Sequence, residues 1–408
     1  MADTSGREHR QLAIIGAGPA GLSAAIYGRR SGLDVLILEK GLSGGQINIT
    51  SEIENYPGFK QAEGMELAKA FREHAEKFKP EFRDCSVQSI SFASEGHTIH
   101  TNKGDVEADA IIIATGASFS KAGCKGELEY AGRGVSYCAV CDGAFFEDAP
   151  VAVIGGGNSA VEEASYLTQF ASKVYIIHRR DEFRANNIAV EKALGNPKIE
   201  TVMGCVVEEI AGSDMVEKIV VRHLKSGEIR DIPVEGVFVF VGTSPNIDFL
   251  EGDERIRRLG NGWIVTDEQM ETSVEGVFAA GDVRDKFLRQ VVTAAGDGAV
   301  AAMSAFEYLS NEYYFKSAIL EPEHAVAFFM SSIDAAHLKL DREIEAWIKA
   351  GGYKIITIDG HRNVRMLERL GIKELPMIVE LARGNKIRET CISTIDDVKA
   401  FCKGCGTS

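Results

Sequence analysis

Short apolar runs, each ending at glycine or at a charged residue, set the rhythm of the chain. Residues 12–15, 35–38, 151–154 and 174–177 are four such runs and predict short buried strands. Each pair is joined by a glycine-rich turn and a helix of small and apolar residues. Leu22, Ala24, Ala25 and Ile26 open the first helix, and 161–170 forms the second. A fifth run, Gly276-Val277-Phe278-Ala279-Ala280, closes on Gly281-Asp282. A long apolar helix then starts near Arg289 and runs to about Leu309. Beyond it the pattern changes. Residues 311–323, with Pro322, read as a linker. A strand over 325–330 follows, then an amphipathic helix over 335–349 with Leu338, Ile344, Trp347 and Ile348 inward. Next come a strand over 353–358 and a helix over 364–370 closed by Gly371. Strands over 377–381 and 386–392 meet in a hairpin at Arg383-Gly384-Asn385, and a last helix over 394–401 starts from a Ser or Thr cap.

The turns carry the candidate chemistry. Gly16-Ala17-Gly18-Pro19-Ala20-Gly21 is a G-x-G-x-x-G turn directly after a strand. Gly16 suits the tight turn, Gly18 lets the backbone approach a pyrophosphate, and Gly21 lets helix and strand pack closely. The helix N-terminus offers free N–H groups to phosphate. Glu39 ends the next strand, where an acid accepts hydrogen bonds from ribose hydroxyls and repels a 2′-phosphate. This site suits FAD or NAD rather than NADP. The second turn, Gly155-Gly156-Gly157-Asn158-Ser159-Ala160, is a G-x-G-x-x-A variant. Its second strand ends in His178-Arg179-Arg180, with Arg184 beyond. Arginine forks pair with phosphate oxygens, so this rim suits NADPH; the competing reading is a solvated arginine patch. Asp282 can accept from a ribityl hydroxyl or lie beside phosphate, with Gly281 giving room. The helix opened by Arg289-Gln290-Val291 can turn its N-terminal end to the pyrimidine edge of a flavin. Taken alone, Gly281-Asp282 is equally an ordinary turn.

Between the two turns stands Cys138-Ala139-Val140-Cys141-Asp142. A C-x-x-C pair can close into a small disulfide ring and carry two electrons as a unit. A structural disulfide or half a zinc site is the alternative, but zinc needs four ligands and no second pair lies nearby in sequence. Asp142 can move a proton to or from a thiolate, or simply cap a helix.

Taken with Gly45-Gln46, Asn55-Tyr56-Pro57-Gly58 and Ala114-Thr115-Gly116, these motifs stand in one order. Over roughly residues 8–312 the chain resembles the low-molecular-weight thioredoxin reductases. The resemblance implies an α/β fold of two Rossmann-like, three-layer nucleotide-binding domains. The FAD domain would be discontinuous, 8–122 and 250–310, and the NADPH domain, 123–249, would hold the redox pair. FAD would be held by Gly16, Gly18, Pro19, Ala20, Gly21, Glu39, Gly45, Gln46, Asn55, Thr115, Gly116, Gly281, Asp282, Arg289, Gln290 and Val291. NADPH would be held by Gly157, Asn158, Ser159, Ala160, His178, Arg179, Arg180 and Arg184. The family's chemistry runs from NADPH to FAD, to the disulfide, and on to a protein disulfide, with the two domains rotating against each other. By the same resemblance Cys141 faces the flavin, Cys138 attacks the substrate, Asp142 handles the proton, and the chain is a homodimer. Thioredoxin is the expected partner. A peroxiredoxin or another disulfide protein would use nearly the same motifs, and a redox-sensing binding module is the reading from another class. A flavin dithiol oxidase would not need Arg179, Arg180 and Arg184, and a ferredoxin–NADP reductase of this fold would lack Cys138 and Cys141.

The tail's β-α-β-α-β-β-α order resembles thioredoxin, with Leu375-Pro376-Met377 where that family keeps a cis-proline. The expected domain is 324–402, followed by a flexible tail over 403–408. Ser331-Ser332-Ile333-Asp334 stands where thioredoxin carries C-x-x-C, so its usual chemistry is absent there. A docking platform and a structural appendage are both open readings. Cys402-Lys403-Gly404-Cys405 has the spacing of a redox pair, with Lys403 able to lower a thiol pKa. Its alternatives are exposed idle thiols or a weak metal clip. No other metal site is expected, and Cys85, Cys124, Cys205 and Cys391 read as free thiols. The net charge of −15 without a basic stripe argues against nucleic acid. No apolar run approaches the roughly 20 residues of a membrane span. The polar first ten residues and the cysteine usage point to a cytoplasmic protein.

Overall fold

The computed structural model describes residues 8–50, 52–93, 96–361 and 363–405, in two compact units, Met1–Phe306 and Glu307–Ser408. In the first unit, Glu8–Ile15 pairs in parallel with Val35–Glu39 on one side and with Gly104–Ile113 on the other. Glu81–Asp84 extends the sheet beyond Val35–Glu39, and Val277–Ala279 joins Gly104–Ile113 in parallel. Their apolar runs are buried on both faces, as a parallel sheet covered by helices requires. Leu12, Ile14, Leu36, Ile37, Ile111 and Ile112 are all fully buried, each burial stabilising the fold by about 1.5–3 kcal/mol.

Register decides where the site forms. Ile15 lies opposite both Leu38 and Ile113, and Ile113 lies opposite Ala279. The segments that leave the sheet after these residues are therefore delivered to one place: Gly16–Gly21, Glu39, Ala114-Thr115-Gly116 and Gly281-Asp282. This is the crevice beyond the carboxyl ends of the strands.

A second parallel sheet repeats the arrangement. Its order is Val135–Ser136, Gly236–Val239, Pro150–Ile154, Lys173–His178 and Ile199–Met203. The chain crosses between the two halves twice, and the crossing strands Ala117–Phe119 and Thr243–Pro245 pair antiparallel. Two antiparallel additions were not anticipated from sequence: His97–Thr101 and Val87–Phe92 extend the first sheet from Gly104–Ile113, and Cys205–Gly212, Val216–His223 and Ile229–Pro233 form a separate sheet. Their strands mix exposed and buried positions and lack the uninterrupted apolar runs of the parallel strands.

The helix Val291–Phe315 continues past the expected end near Leu309 into a π-turn over Lys316–Leu320. The segment expected as a linker is thus helical for most of its length. Phe315 and Ile319 explain this: both are fully buried against Ala327, Phe329, Ile358 and Val379 of the second unit.

That unit is a four-stranded sheet in the order Ile356–Asp359, Ala325–Met330, Met377–Ala382, Asn385–Cys391. The first two strands are parallel and the remaining pairs antiparallel. Val326 and Phe328 pack with Leu340, Ile344, Val398 and Phe401 on one face; Ala327 and Phe329 pack with Met366 and Leu370 on the other. Both faces of Ala325–Met330 are covered, which is why its sequence is uninterruptedly apolar. The second strand starts at Ile356 rather than at residue 353, and Leu340 joins Ile344 as the buried core of Ala335–Lys349, whereas Leu338, Trp347 and Ile348 are only partly buried. The Leu375–Pro376 peptide is cis. Thr394 caps the last helix, Ile395–Lys403, in a reciprocal box with Asp397. Among the described residues no helix is long and apolar enough to cross a membrane.

Candidate functional site

The first cradle is built by close packing around one turn. Gly16 sits at φ +107°, and a Cβ there would come within 2.4 Å of the Ala114 carbonyl oxygen. A Cβ at Gly298 would lie 2.0 Å from the Ala20 carbonyl oxygen, so the helix Val291–Phe315 is seated directly on the start of the helix Pro19–Arg30. Gly18 is different: a Cβ there would meet nothing within 4 Å, leaving room for a ligand. The Glu39 carboxylate accepts hydrogen bonds from the Ala17 N–H at 2.7 Å and the Gly41 N–H at 2.9 Å. It braces the turn while each oxygen keeps a further lone pair for a ribose. Gly45 lies beside Gly18, and the Gly44 N–H donates to the Ala17 carbonyl at 2.7 Å.

Around this opening the expected flavin-binding residues converge. Gln46 Nε2 donates to the Ala117 carbonyl at 2.8 Å, and Asn55 Nδ2 to Gln290 Oε1 at 3.2 Å. The Thr115 hydroxyl donates to the Asn246 carbonyl at 2.7 Å, and Asn246 Nδ2 returns a bond to the Thr115 carbonyl at 2.9 Å. Gly116 accepts from the Asn246 N–H at 3.0 Å. Gly281 takes φ +77° and donates its N–H to Asp297 at 3.1 Å. The Arg289 guanidinium lies over the Trp263 ring at 3.9 Å, and burial lowers its pKa. Val291 opens the helix and packs against the Ile47–Leu67 cluster. Neither Asn246 nor Trp263 carries a motif that would have flagged it.

Three buried polar atoms here have no protein partner among the described residues: Gln46 Oε1, Asp282 Oδ1 and Arg289 Nε. Leaving such a group unpaired costs roughly 1–3 kcal/mol. Burial raises the Asp282 carboxyl, with Lys286 and Arg289 opposing. An open cradle at Gly18 and unpaired donors and acceptors beside it fit FAD.

The second cradle repeats the first. A Cβ at Gly155 would come within 2.4 Å of the Phe240 carbonyl oxygen, and one at Gly157 would meet nothing within 4 Å. Asn158 Oδ1 accepts from the Asn186 N–H at 2.8 Å, and the Arg184 N–H donates to the Gly156 carbonyl at 2.7 Å. Ser159 is exposed, while Ala160 is fully buried under the turn. His178 stacks on Phe183 at 5.9 Å, and its buried Nε2 has no partner among the described residues. Burial, then the charge of Arg184, pushes its pKa down. Arg179, Arg180 and Arg184 are exposed, and none has an acidic partner among the described residues. Three free guanidiniums beside an open turn fit the extra phosphate of NADPH.

Cys138 and Cys141 form a disulfide at the start of a short helix, Ala139–Asp142. Cys138 itself is the cap: its Sγ accepts from the Cys141 N–H at 3.2 Å. Asp142, at the other end of this turn, makes no capping bond. Its carboxyl is pushed up by burial, with the Ser136 hydroxyl opposing, and Oδ1 has no partner among the described residues. The disulfide belongs to the half with the second cradle, yet Gln290 of the first half reaches it. Gln290 Nε2 lies 3.8 Å from Cys138 Sγ and 3.9 Å from Cys141 Sγ.

The tail pair departs from expectation. Cys402 and Cys405 are both buried, and neither is disulfide-bonded. The cation on Cys405 is Arg388, not Lys403, and Cys405, expected in a flexible tail, packs in the core of the second unit. Residues 406–408 lie outside the described residues. Cys85, Cys124, Cys205 and Cys391 are free thiols.

Two dinucleotide cradles and a disulfide that touches both halves define a nucleotide-dependent disulfide oxidoreductase. The chain belongs to the pyridine nucleotide-disulphide oxidoreductases, whose family model matches residues 10–298. It is 48% identical over 307 residues to a thioredoxin reductase of Peptoclostridium litorale, covering 74% of this chain and 97% of that relative. To the Bacillus subtilis thioredoxin reductase it is 44% identical over 303 residues, 73% of this chain and 94% of the relative. The crystal structure of a thioredoxin reductase from Streptococcus pyogenes aligns with a TM-score of 0.72 at 46% identity, over 75% of this chain and 99% of that one. The fold is accordingly two Rossmann-like domains, and the activity is NADPH-dependent disulfide reduction by a flavoprotein with FAD.

Proposed function

We propose that this enzyme reduces the disulfide of thioredoxin, with the nucleotide-binding residues named above holding FAD and NADPH in discontinuous and inserted domains. The observation that carries this reading is the contact of Gln290 with both sulfurs of Cys138–Cys141, 3.8 and 3.9 Å away. This contact supports a reading in which the disulfide of one half meets the flavin cradle of the other. When bound, FAD supplies the relay that takes two electrons from NADPH and delivers them to that disulfide.

The chain's own residues do the rest. Cys141 receives electrons, and its N–H steadies negative charge on Cys138 Sγ once the bond opens. Cys138 then attacks the partner disulfide. Asp142, whose carboxyl burial pushes up and whose Oδ1 has no partner among the described residues, stands beside the pair to pass a proton to the departing thiolate. Val140 and Phe145 are exposed beside the pair and offer a protein partner an apolar contact. The sheet order of the second unit and its cis Leu375–Pro376 support a thioredoxin-like domain without C-x-x-C at Ser331–Asp334. A homodimer in a reducing cytoplasm completes the reading; sedimentation of the purified protein tests the dimer.

Cys138→Ser tests the chemistry. NADPH should still bleach the flavin, while turnover of oxidised thioredoxin falls at least about 1000-fold, as expected when a nucleophile is removed. Loss of both steps together would overturn the assignment of roles.

A further inference from the structure

Cys402 and Cys405 take no part in the chemistry above, yet they are set in a built site. The Cys405 thiol donates to the Phe401 carbonyl at 3.6 Å, and the Cys405 N–H closes a turn on the Cys402 carbonyl at 3.1 Å. Arg388 Nη2 donates to Cys405 Sγ at 2.9 Å and to the Phe401 carbonyl at 2.8 Å. The glycine between the cysteines permits this: a Cβ at Gly404 would lie 2.7 Å from Arg388 Nη1. Behind Arg388 stands buried Glu380, which bonds to Arg388 Nε and accepts from His324 Nε2 at 2.6 Å; the Tyr353 hydroxyl lies 3.2 Å from His324 Nδ1. A buried carboxylate linked to a half-exposed guanidinium and a histidine beneath one sulfur is an ordered polar network, and an idle thiol needs none of it. From outside, a cavity of about 660 Å³ lined by Trp347, Tyr353, Asp396, Lys399 and Lys403 reaches Cys402.

We propose that Cys402 and Cys405 are a second redox-active dithiol, which exchanges with a disulfide-bearing peptide entering the cavity at Cys402. The proposal rests on the reading of Cys138–Cys141 as the reductant. The Cys402 thiolate attacks the incoming disulfide, forming a mixed disulfide and releasing one partner thiolate. The Cys405 thiolate then attacks Cys402 Sγ, closes the Cys402–Cys405 disulfide and releases the second partner thiolate. The protons of the two cysteines go to the two released sulfurs. Re-reduction runs by the same exchange with the Cys138–Cys141 dithiol, which closes to its own disulfide as the tail pair reopens. Arg388 is a positioning residue that favours the thiolate of Cys405. Burial pushes Cys402 up to about 12 and raises Cys405 as well, with Arg388 opposing at Cys405, so exchange quickens as pH rises.

The test uses the full-length, FAD-loaded protein. It is oxidised with excess glutathione disulfide, quenched in acid, alkylated and mapped by mass. A tail peptide lighter by two hydrogens, with both cysteines protected from alkylation, is expected. Anaerobic NADPH should restore both thiols in the wild type but not in a Cys138→Ser/Cys141→Ser variant. The wild type should also take up one more two-electron equivalent than Cys402→Ser/Cys405→Ser. Gly404→Ala, which pushes Arg388 aside, should slow closure at least fivefold while leaving NADPH reduction of Cys138–Cys141 unchanged. Absence of the tail disulfide, or its persistence under NADPH while Cys138–Cys141 is reduced, would overturn the proposal. Failure of NADPH to reduce Cys138–Cys141 would strike instead at the functional reading beneath it.

Discussion

At Gly18 and at Gly157 the chain leaves the same opening: a side-chain carbon added at either would meet no protein atom within 4 Å. The strands, turns and helices that make the two openings are near copies. The rims are opposites. The first ends in Glu39, whose carboxylate is already engaged by two backbone N–H groups. The second ends in His178-Arg179-Arg180, whose guanidiniums have no acidic partner among the described residues. The turn therefore supplies what any dinucleotide needs, a backbone close to the pyrophosphate, and the end of the second strand decides which nucleotide is kept. An acid braced from within favours a resident group, whereas arginines without partners suit one that comes and goes.

The largest effect should come from erasing the difference between the rims. Arg179→Ala combined with Arg180→Ala removes two charge-assisted contacts of about 1.5–3 kcal/mol each. KM for NADPH should rise at least about 100-fold, with the KM for NADH nearly unchanged and the flavin spectrum intact. An equal loss with both nucleotides would mean that the arginines do not read the added phosphate. A smaller effect should follow from filling the openings one at a time. Gly18→Val should weaken FAD retention, and Gly157→Val should weaken NADPH binding, each by roughly 10- to 100-fold if overpacking costs about 1–3 kcal/mol. Measured by flavin release and by NADPH titration, the losses should not cross over. If Gly157→Val stripped the flavin, the assignment of the two cradles would fail.

The smallest effect concerns pH. Burial and then Arg184 hold His178 below its ordinary 6.5, and burial does the same to His97. As pH falls the unfolded chain binds these protons first. Stability is therefore complete above about 6.5 and declines as pH drops through the folded-state values. Urea midpoints should fall between pH 7 and pH 5, and His178→Gln should flatten the slope. A slope unchanged by that substitution would show that the His178 proton is not linked to folding.

Both cradles were legible because their signals are local. A strand, a glycine turn and the residue at the end of the next strand obey rules that act within a few residues. The tail's alternation was legible for the same reason, down to the Thr394 cap. What stayed hidden depends on distant partners. The sequence around Asn311-Glu312 looks like a linker, but Phe315 and Ile319 are held in a helical conformation by strands that come later. Lys403 stands next to the tail cysteines in sequence, yet Arg388, on a strand, supplies the charge on Cys405. Asn246 meets Thr115 across 131 residues, through the pairing of the two crossing strands. Cys138, rather than Asp142, caps the helix that bears the redox pair, because a sulfur already placed there can accept the N–H of Cys141.

The seat of the helix Val291–Phe315 on Ala20 has a hereditary side. One methyl group at position 298 would collide with a carbonyl 2.0 Å away, on a turn encoded almost three hundred codons earlier. A library of random variants should therefore find Gly298 as intolerant as either redox cysteine, although it carries no electron and touches no substrate. Two distant stretches of the gene are tied by the lack of a side chain, and neither can drift unless the other moves with it.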